Sequence, residues 1–221
     1  DVYYVALPLY HATGLIACWG SVISAGASVV IRRRFSASEF WDDIDKYQAT
    51  IFGYVGELCR YLLNQPPKPT DGHHTLKKMF GNGLRPGIWQ EFKTRFQVPV
   101  ILEFYGASEG NTGFANLFNL NNTIGVGSAT LVKYDREKDE VVRDSQGHLV
   151  KVEGREPGLL IGAITEATPF IGYTQKDKTE SAILRDVFKQ GDAWFDTGDL
   201  LRHIGCKHYQ FVDRLGDTFR W

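Results

Sequence analysis

An α/β layer on a largely parallel sheet, followed by a β-barrel-like subdomain, is the fold that the sequence predicts, on three observations. Up to residue 105, short apolar runs of strand length alternate with amphipathic runs of helix length, the pattern of βαβ units. Beyond about residue 120 the segments shorten, and turn signals such as Asp144-Ser145-Gln146-Gly147 separate them. Hydrophobic residues make up 43% of the chain and charged residues 23%, a balance that supports a buried core and sets aside a disordered chain.

The elements follow in order. Residues 2–7 read as a strand, 14–25 as an apolar helix and 27–31 as the next strand. Ser36-Ala37-Ser38-Glu39 has the form of a capping box before a helix over 39–47, with Phe40, Ile44 and Tyr47 at helical spacing. A strand at 50–54 precedes a helix over 57–64 that Pro66-Pro67 would stop. A strand at 76–80, a helix at 86–96 and a strand at 100–105 continue the alternation. Short strands are expected at 131–134, 140–142, 149–152 and 158–164, and a helix near 179–188. A hairpin of 200–204 with 209–212 turns around Gly205-Cys206-Lys207. Residues 64–72 are the most linker-like stretch. The expected partition is an α/β subdomain over 1–120, a β-rich subdomain over 121–213 and a hinge over 214–221.

Several function classes are set aside early. The formal net charge is −1, which gives no bulk attraction to nucleic acid or anionic membrane. Arg32-Arg33-Arg34 is the one basic cluster and reads as a solvated strand end. Cys18, Cys59 and Cys206 are odd in number, without CxxC spacing, so neither a zinc site nor a disulfide framework is expected. His73-His74 reads as a solvent-exposed loop pair. No signal peptide or long apolar span is present in these residues. The chain opens at Asp1 directly before a strand-like run, its only methionine is Met79, and it ends at Trp221. We therefore expect an internal piece of a longer protein, in a reducing compartment.

The chemistry-bearing residues cluster in a few segments. In Tyr105-Gly106-Ala107-Ser108-Glu109-Gly110 an apolar strand ends in an aromatic, a glycine, a hydroxyl and a carboxylate, as at the ligand-facing ends of α/β strands. Gly106 would let the backbone approach a ligand closely. Ser108 can bond a phosphate oxygen, and Glu109 can hold Mg²⁺, which takes one or two carboxylates plus substrate phosphates. The same stretch also reads as an ordinary strand end with a solvated glutamate. Its Gly106-Ala107-Ser108-Glu109-Gly110 is a literal G-x-S-x-G nucleophile elbow, which leaves an α/β-hydrolase using Ser108 as a rival. The elbow needs a helix directly after the serine, and Asn111-Thr112-Gly113 makes a poor one.

In Trp194-Phe195-Asp196-Thr197-Gly198-Asp199-Leu200, Asp199 stands past a glycine turn and can accept two bonds from vicinal ribose hydroxyls. A plain β-turn is the other reading. Arg214, in Val212-Asp213-Arg214-Leu215-Gly216-Asp217, can contact ribose or phosphate, or sit in an exposed salt-bridged turn. His11 lies at a strand-to-helix junction, and Gly81-Asn82-Gly83 follows another strand. A capping loop and a tight turn are the plainer accounts of those two.

In order and separation, PLYH (8–11), YGASEG (105–110), EPGLL (156–160), WFDTGDL (194–200) and VDRLGD (212–217) resemble the successive motifs of the adenylate-forming, or acyl-CoA synthetase, superfamily. A narrower likeness is carried by FSASEFWDD (35–43), GELCRYLL (56–63), GNGLRP (81–86) and GDTFRW (216–221). These look like the fatty acid transport protein, or very-long-chain acyl-CoA synthetase, subfamily. The likeness spans nearly the whole chain and is weakest over residues 111–155.

The resemblance implies part of the large N-terminal domain of an adenylate-forming enzyme. It implies ATP-dependent activation of a long- or very-long-chain fatty acid to acyl-CoA, with ATP, Mg²⁺ and coenzyme A. By that likeness Glu109 would hold the metal, and Ser108 would meet the α-phosphate. Tyr105, Gly106 and Ala107, with Gly81, Asn82 and Gly83, would frame the adenine. Asp199 would hold the ribose with Arg214 assisting, and His11 would sit near the reacting carboxylate. The hinge would fall at about Gly216. A phosphate loop would lie upstream of Asp1, and a small domain with a catalytic lysine downstream of Trp221, so the piece alone should turn over poorly. Peripheral membrane association and a cytoplasmic or cytoplasm-facing location fit the same likeness. A lipid-binding or transport module without catalysis is the alternative; it gives Asp199, Glu109 and Arg214 no reason to recur in motif context.

Overall fold

The computed structural model describes residues 1–107 and 111–216. Contacts divide the chain into two compact units, one of Asp1–Phe104 with Ala115–Thr123, the other of Tyr105–Phe114 with the chain from Ile124 onward.

In the first unit β1 (Val2–Val5), β2 (Ser28–Ile31), β3 (Ile51–Val55), β4 (Lys78–Asn82) and β5 (Val100–Gly106) lie in the order β2-β1-β3-β4-β5. Every adjacent pair is parallel. Parallel strands need crossovers, supplied by α1 (Gly20–Ala25), α2 (Phe40–Lys46), α3 (Gly56–Leu63) and α4 (Pro86–Phe96). Strand β3 is apolar almost throughout because it is buried on both faces. Tyr4, Phe40, Phe52, Tyr54, Met79, Trp89, Phe92, Phe96 and Ile101 form the core. Helix α4 opens on Pro86, whose missing N–H costs nothing in the first turn, and closes on Gln97 at φ +49°.

Four local readings change. The helix expected over 14–25 opens as a π-helical run, Thr13–Trp19, before α1. Such runs are rare and concentrate near functional sites. The capping box does not form: α2 has no side-chain cap, and the Glu39 carboxylate pairs with Arg32 at 2.9 Å. Arg32 also reaches Asp43 at 3.1 Å, which accepts the Tyr4 hydroxyl at 2.9 Å, so Arg32 is tethered, while Arg33 and Arg34 stay exposed as the sequence suggests. His74 is not free in its loop: Nε2 donates to the Phe96 carbonyl at 2.7 Å, Nδ1 accepts the Leu76 amide at 3.2 Å, and the ring stacks on Trp41.

The linker-like stretch is pinned. Arg95 of α4 pairs with Asp71 at 2.7 Å and donates to the carbonyls of Leu63, Gln65 and Pro66 at 2.7, 2.9 and 3.2 Å.

Past β6 (Gly113–Ala115), the second unit carries β7 (Gly125–Gly127), β8 (Thr130–Val132), β9 (Tyr134–Asp135), β10 (Glu140–Val141), β11 (Pro157–Ala163), β12 (Ile183–Arg185), β13 (Ala193–Gly205) and β14 (His208–Arg214). Five of them run β7-β14-β13-β11-β8, with β12 on β13 and each pairing antiparallel. Strand β11 is buried on both faces: Leu159 and Ile161 enter one cluster, and Leu160 enters another with Phe114, Ile124 and Leu201. The helix expected near 179–188 is shorter and earlier, α5 (Lys176–Ser181), because the next residues join β13 as β12. The strand expected at 149–152 is reduced to isolated bridges at Leu149 and Lys151. Asp192 organises the turn before β13, accepting the amides of Val187 and Phe188 at 2.6 and 3.1 Å and the Trp194 indole at 3.1 Å.

Candidate functional site

The first unit presents its chemistry at the carboxyl ends of its strands, where open α/β sheets bind ligands. The loop after β1 carries His11, which is exposed. The loop folds back tightly: the His11 amide donates to the Pro8 carbonyl at 3.1 Å, and a Cβ at Gly14 would press on that same carbonyl. Thr13, at the start of the π-helical run, donates its hydroxyl to Asn82 Oδ1 at 2.8 Å. The His11 loop is thereby tied to the end of β4, where Gly81, Asn82 and Gly83 stand.

That glycine turn is crowded. A Cβ at Gly81 would strike the Tyr54 carbonyl, a Cβ at Gly56 would strike the Gly83 carbonyl, and Gly83 itself has φ +79°. All three positions therefore need glycine, two for close approach and one for a left-handed backbone. Beneath the turn lies Glu103, 2% exposed in the middle of β5. Its carboxyl accepts the Leu84 amide at 3.1 Å and is hydrogen-bonded to the Tyr54 hydroxyl. Burial pushes the Glu103 acid up to about 8, against the pull of the Tyr54, Leu84 and Gly83 bonds.

The second unit gathers Tyr105, Asp199 and Arg214. Asp199 on β13 lies directly opposite Arg214 on β14, Oδ1 to Nε 3.7 Å, and its Oδ2 accepts the Tyr105 hydroxyl at 2.6 Å. The carboxylate is 4% exposed. Thr197 supports it, accepting the Asp199 amide at 3.1 Å and donating to the Leu160 carbonyl at 2.8 Å. Gly198 takes φ +68°, its amide going to Asp196 Oδ1 at 2.8 Å and its carbonyl receiving the Leu215 amide at 2.7 Å. The segment is thus a strand with an internal irregularity and not a free β-turn. Burial first, then Asp199, drives the Tyr105 phenol well above its usual range, so it stays a donor. Burial, with Asp199 beside it, likewise raises the Asp196 carboxyl.

Chemically, this cluster is a buried carboxylate fixed by a phenol and flanked by a guanidinium.

Of the residues singled out from sequence, Ser108 and Glu109 lie outside the described residues. Gly106 ends β5, and a Cβ there meets nothing within 4 Å, so its described neighbours do not demand glycine. Ala107 follows it. Asn111 anchors the next stretch, its Nδ2 donating to the Ala163 and Thr168 carbonyls at 2.6 and 2.9 Å. From Asn111 the chain passes into β6, so among the described residues no helix follows Ser108 where a nucleophile elbow would need one. Gly216 takes φ +80°, and the remainder of the expected hinge lies outside the described residues. Among the described residues no group of three or more His, Cys, Asp and Glu side chains could hold a metal, and no helix is long and apolar enough to cross a membrane.

Sequence reasoning passed over Tyr54, Gly56, Glu103 and Thr197. A signal for Glu103 existed: an acid two residues from Ile101 shares its strand face, and that face is buried.

Comparison with known proteins agrees with the motif order. The family model described as AMP-binding enzyme matches residues 1–156. The chain is 49% identical over 223 residues to the medium/long-chain-fatty-acid–CoA ligase FadD6 of Mycobacterium tuberculosis, covering 100% of this chain and 37% of that protein. It is also 49% identical over 230 residues to long-chain fatty acid transport protein 2 of Rattus norvegicus, with the same coverage. Among solved structures, ATP-bound MatB from Rhodopseudomonas palustris superposes with a TM-score of 0.69 at 22% identity, over 97% of this chain and 40% of that one. The o-succinylbenzoate CoA synthetase of Bacillus subtilis, solved with its acyl-adenylate intermediate, gives 0.62 at 21%, over 97% and 41%. At these identities the two structures speak to the fold alone. The chain spans about 37% of the length of the curated relatives it matches.

Proposed function

Since the chain belongs to the AMP-binding enzyme family, we propose that the protein carrying it activates a long- or very-long-chain fatty acid to its CoA thioester through an acyl-adenylate. The observation that carries this reading is the 49% identity, along the whole chain, to a protein named as a fatty-acid–CoA ligase. The Tyr105–Asp199–Arg214 cluster supports it by supplying, in motif position, a carboxylate suited to vicinal hydroxyls.

The reaction has two displacements. A fatty carboxylate oxygen attacks the α-phosphorus of ATP, forming the acyl-phosphate bond and releasing pyrophosphate. The CoA sulfur then attacks the acyl carbonyl, and AMP leaves. A carboxyl group with a pKa of about 4 to 4.5 is already ionised at neutral pH, so the first step asks for no general base. It asks for charge neutralisation and in-line positioning.

In this reading Asp199 takes the ribose hydroxyls, with Tyr105 and Arg214 holding its orientation. Tyr105, Gly106 and Ala107, and the Gly81–Gly83 turn, meet the adenine, while His11 lies near the reacting carboxylate and Ser108 at the α-phosphate. Mg²⁺ would neutralise phosphate charge when bound; Glu109 as its ligand rests on the motif alone. Peripheral membrane attachment and a cytoplasmic or cytoplasm-facing location belong to the same proposal.

The test is fatty-acid-dependent exchange of pyrophosphate into ATP by the complete gene product, followed by acyl-CoA formation when CoA is added. Exchange should rise with acids of long chain. Fatty acid binding with no exchange at any chain length would favour the non-catalytic lipid module instead.

A further inference from the structure

The buried acid of β5 has no part in the chemistry above, and its surroundings are costly to assemble. A carboxyl group removed from water without partners is strongly disfavoured. Glu103 nevertheless occupies the centre of an otherwise apolar strand, with Tyr54 and Cys59 as its titratable neighbours. Both of its oxygens are engaged, one by the Leu84 amide and the other by the Tyr54 hydroxyl. Leu84 directly follows Gly83, and Glu103 pairs in register with Gly81 on the neighbouring strand. The same turn is braced from above by Gly56, whose lack of a side chain admits the Gly83 carbonyl.

We propose that Glu103, backed by Tyr54, is a positioning residue for nucleotide binding: it grips the Leu84 amide from below and sets the Gly81–Gly83 turn in the form that meets the base. The assignment rests on reading that turn as part of the nucleotide site. At neutral pH burial holds the side chain mainly as the neutral acid, one oxygen accepting the Leu84 amide and the other accepting the Tyr54 hydroxyl. Glutamine keeps both contacts, its amide oxygen accepting from Leu84 and its NH₂ donating to the Tyr54 oxygen, which turns its hydroxyl from donor to acceptor. Leucine can reproduce neither and leaves the Leu84 amide buried without its acceptor.

The experiment compares wild type, Glu103→Gln and Glu103→Leu in the complete gene product. It measures KM for ATP and for fatty acid by pyrophosphate exchange, and ATP affinity by calorimetry. In Glu103→Leu, KM and Kd for ATP should rise about tenfold, with KM for the fatty acid within about twofold of wild type. Glu103→Gln should recover most of that loss. A folded Glu103→Leu with wild-type ATP affinity would overturn the assignment, as would equal rises in both KM values or a glutamine variant no better than leucine. Should Glu103→Leu fail to fold, Gly83→Ala strains the same turn from its own backbone. It should show the same ATP-selective rise, and an unaltered ATP affinity there would also overturn the proposal. A wild-type protein that binds no ATP would instead bring down the functional reading, an outcome distinct from wild-type binding that the variants leave untouched.

Discussion

The Tyr105 hydroxyl lies 2.6 Å from Asp199 Oδ2 across 94 residues of sequence, so the end of β5 and the middle of β13 meet at one hydrogen bond. Asp199→Ala should weaken ATP binding by about 1.5–3 kcal/mol, the size of a bond to a charged group. Tyr105→Phe, which keeps the ring and the carboxylate, should lose less. Calorimetric titration with ATP checks both, and unchanged affinity in Asp199→Ala would remove the ribose assignment.

Glu103 gives stability a pH dependence with a defined sign. Its folded-state acid sits at about 8, above the roughly 4.3 of a free glutamate. The folded state therefore holds a proton that the unfolded state releases. Its contribution is complete below about 4.3 and is lost as pH rises through about 8, at up to ~1.4 kcal/mol per pH unit. Tyr54 and Cys59 are both driven upward by burial and stay neutral across this window. Urea denaturation from pH 5 to 9 should show wild type losing ground steadily to Glu103→Gln; parallel curves for the two proteins would contradict the buried acid.

Gly56→Ala places a methyl group against the Gly83 carbonyl, a backbone atom that cannot rotate away. A destabilisation of about 1–3 kcal/mol is expected from the forced shift. Gly87→Ala is the control, because a Cβ there meets nothing within 4 Å. Equal midpoints in thermal unfolding for the two variants would show that the turn accommodates the methyl.

Ser108 should not behave as a nucleophile. A fluorophosphonate probe should leave the complete gene product unlabelled, since the chain beyond Gly110 enters β6 and provides no elbow helix. Stoichiometric labelling at Ser108 would revive hydrolase chemistry.

The parallel strands were legible because burial on both faces leaves near-continuous apolar runs, as in Ile51-Phe52-Gly53-Tyr54-Val55, and because helical spacing separates them. What escaped reading was decided by partners distant in sequence. Glu39 looked like half of a capping box but found Arg32, the residue after β2, and its carboxylate pairs there instead. Residues 183–185 had helical neighbours and went to β13 because an antiparallel edge was available there. Glu103 could be marked as an acid inside an apolar run, but only the fold brings Tyr54 and Leu84 to it. At the candidate site, the motifs marked Tyr105, Asp199 and Arg214 as residues of interest, but their mutual bonding depends on β-pairing register that local spacing does not encode. His11 was placed at a junction correctly, while the Thr13–Asn82 bond behind it joins residues 69 apart.

Arg95 holds both flanks of the exposed segment that follows α3: Leu63, Gln65 and Pro66 on one side, Asp71 on the other. A cut in the backbone near Lys68 would therefore leave two pieces still fastened to the same guanidinium. New termini opened there should be tolerated, as they are at exposed loops whose flanks stay anchored. The stretch that most resembles a linker in the sequence is thus a place where this chain can be cut without its two sides coming apart.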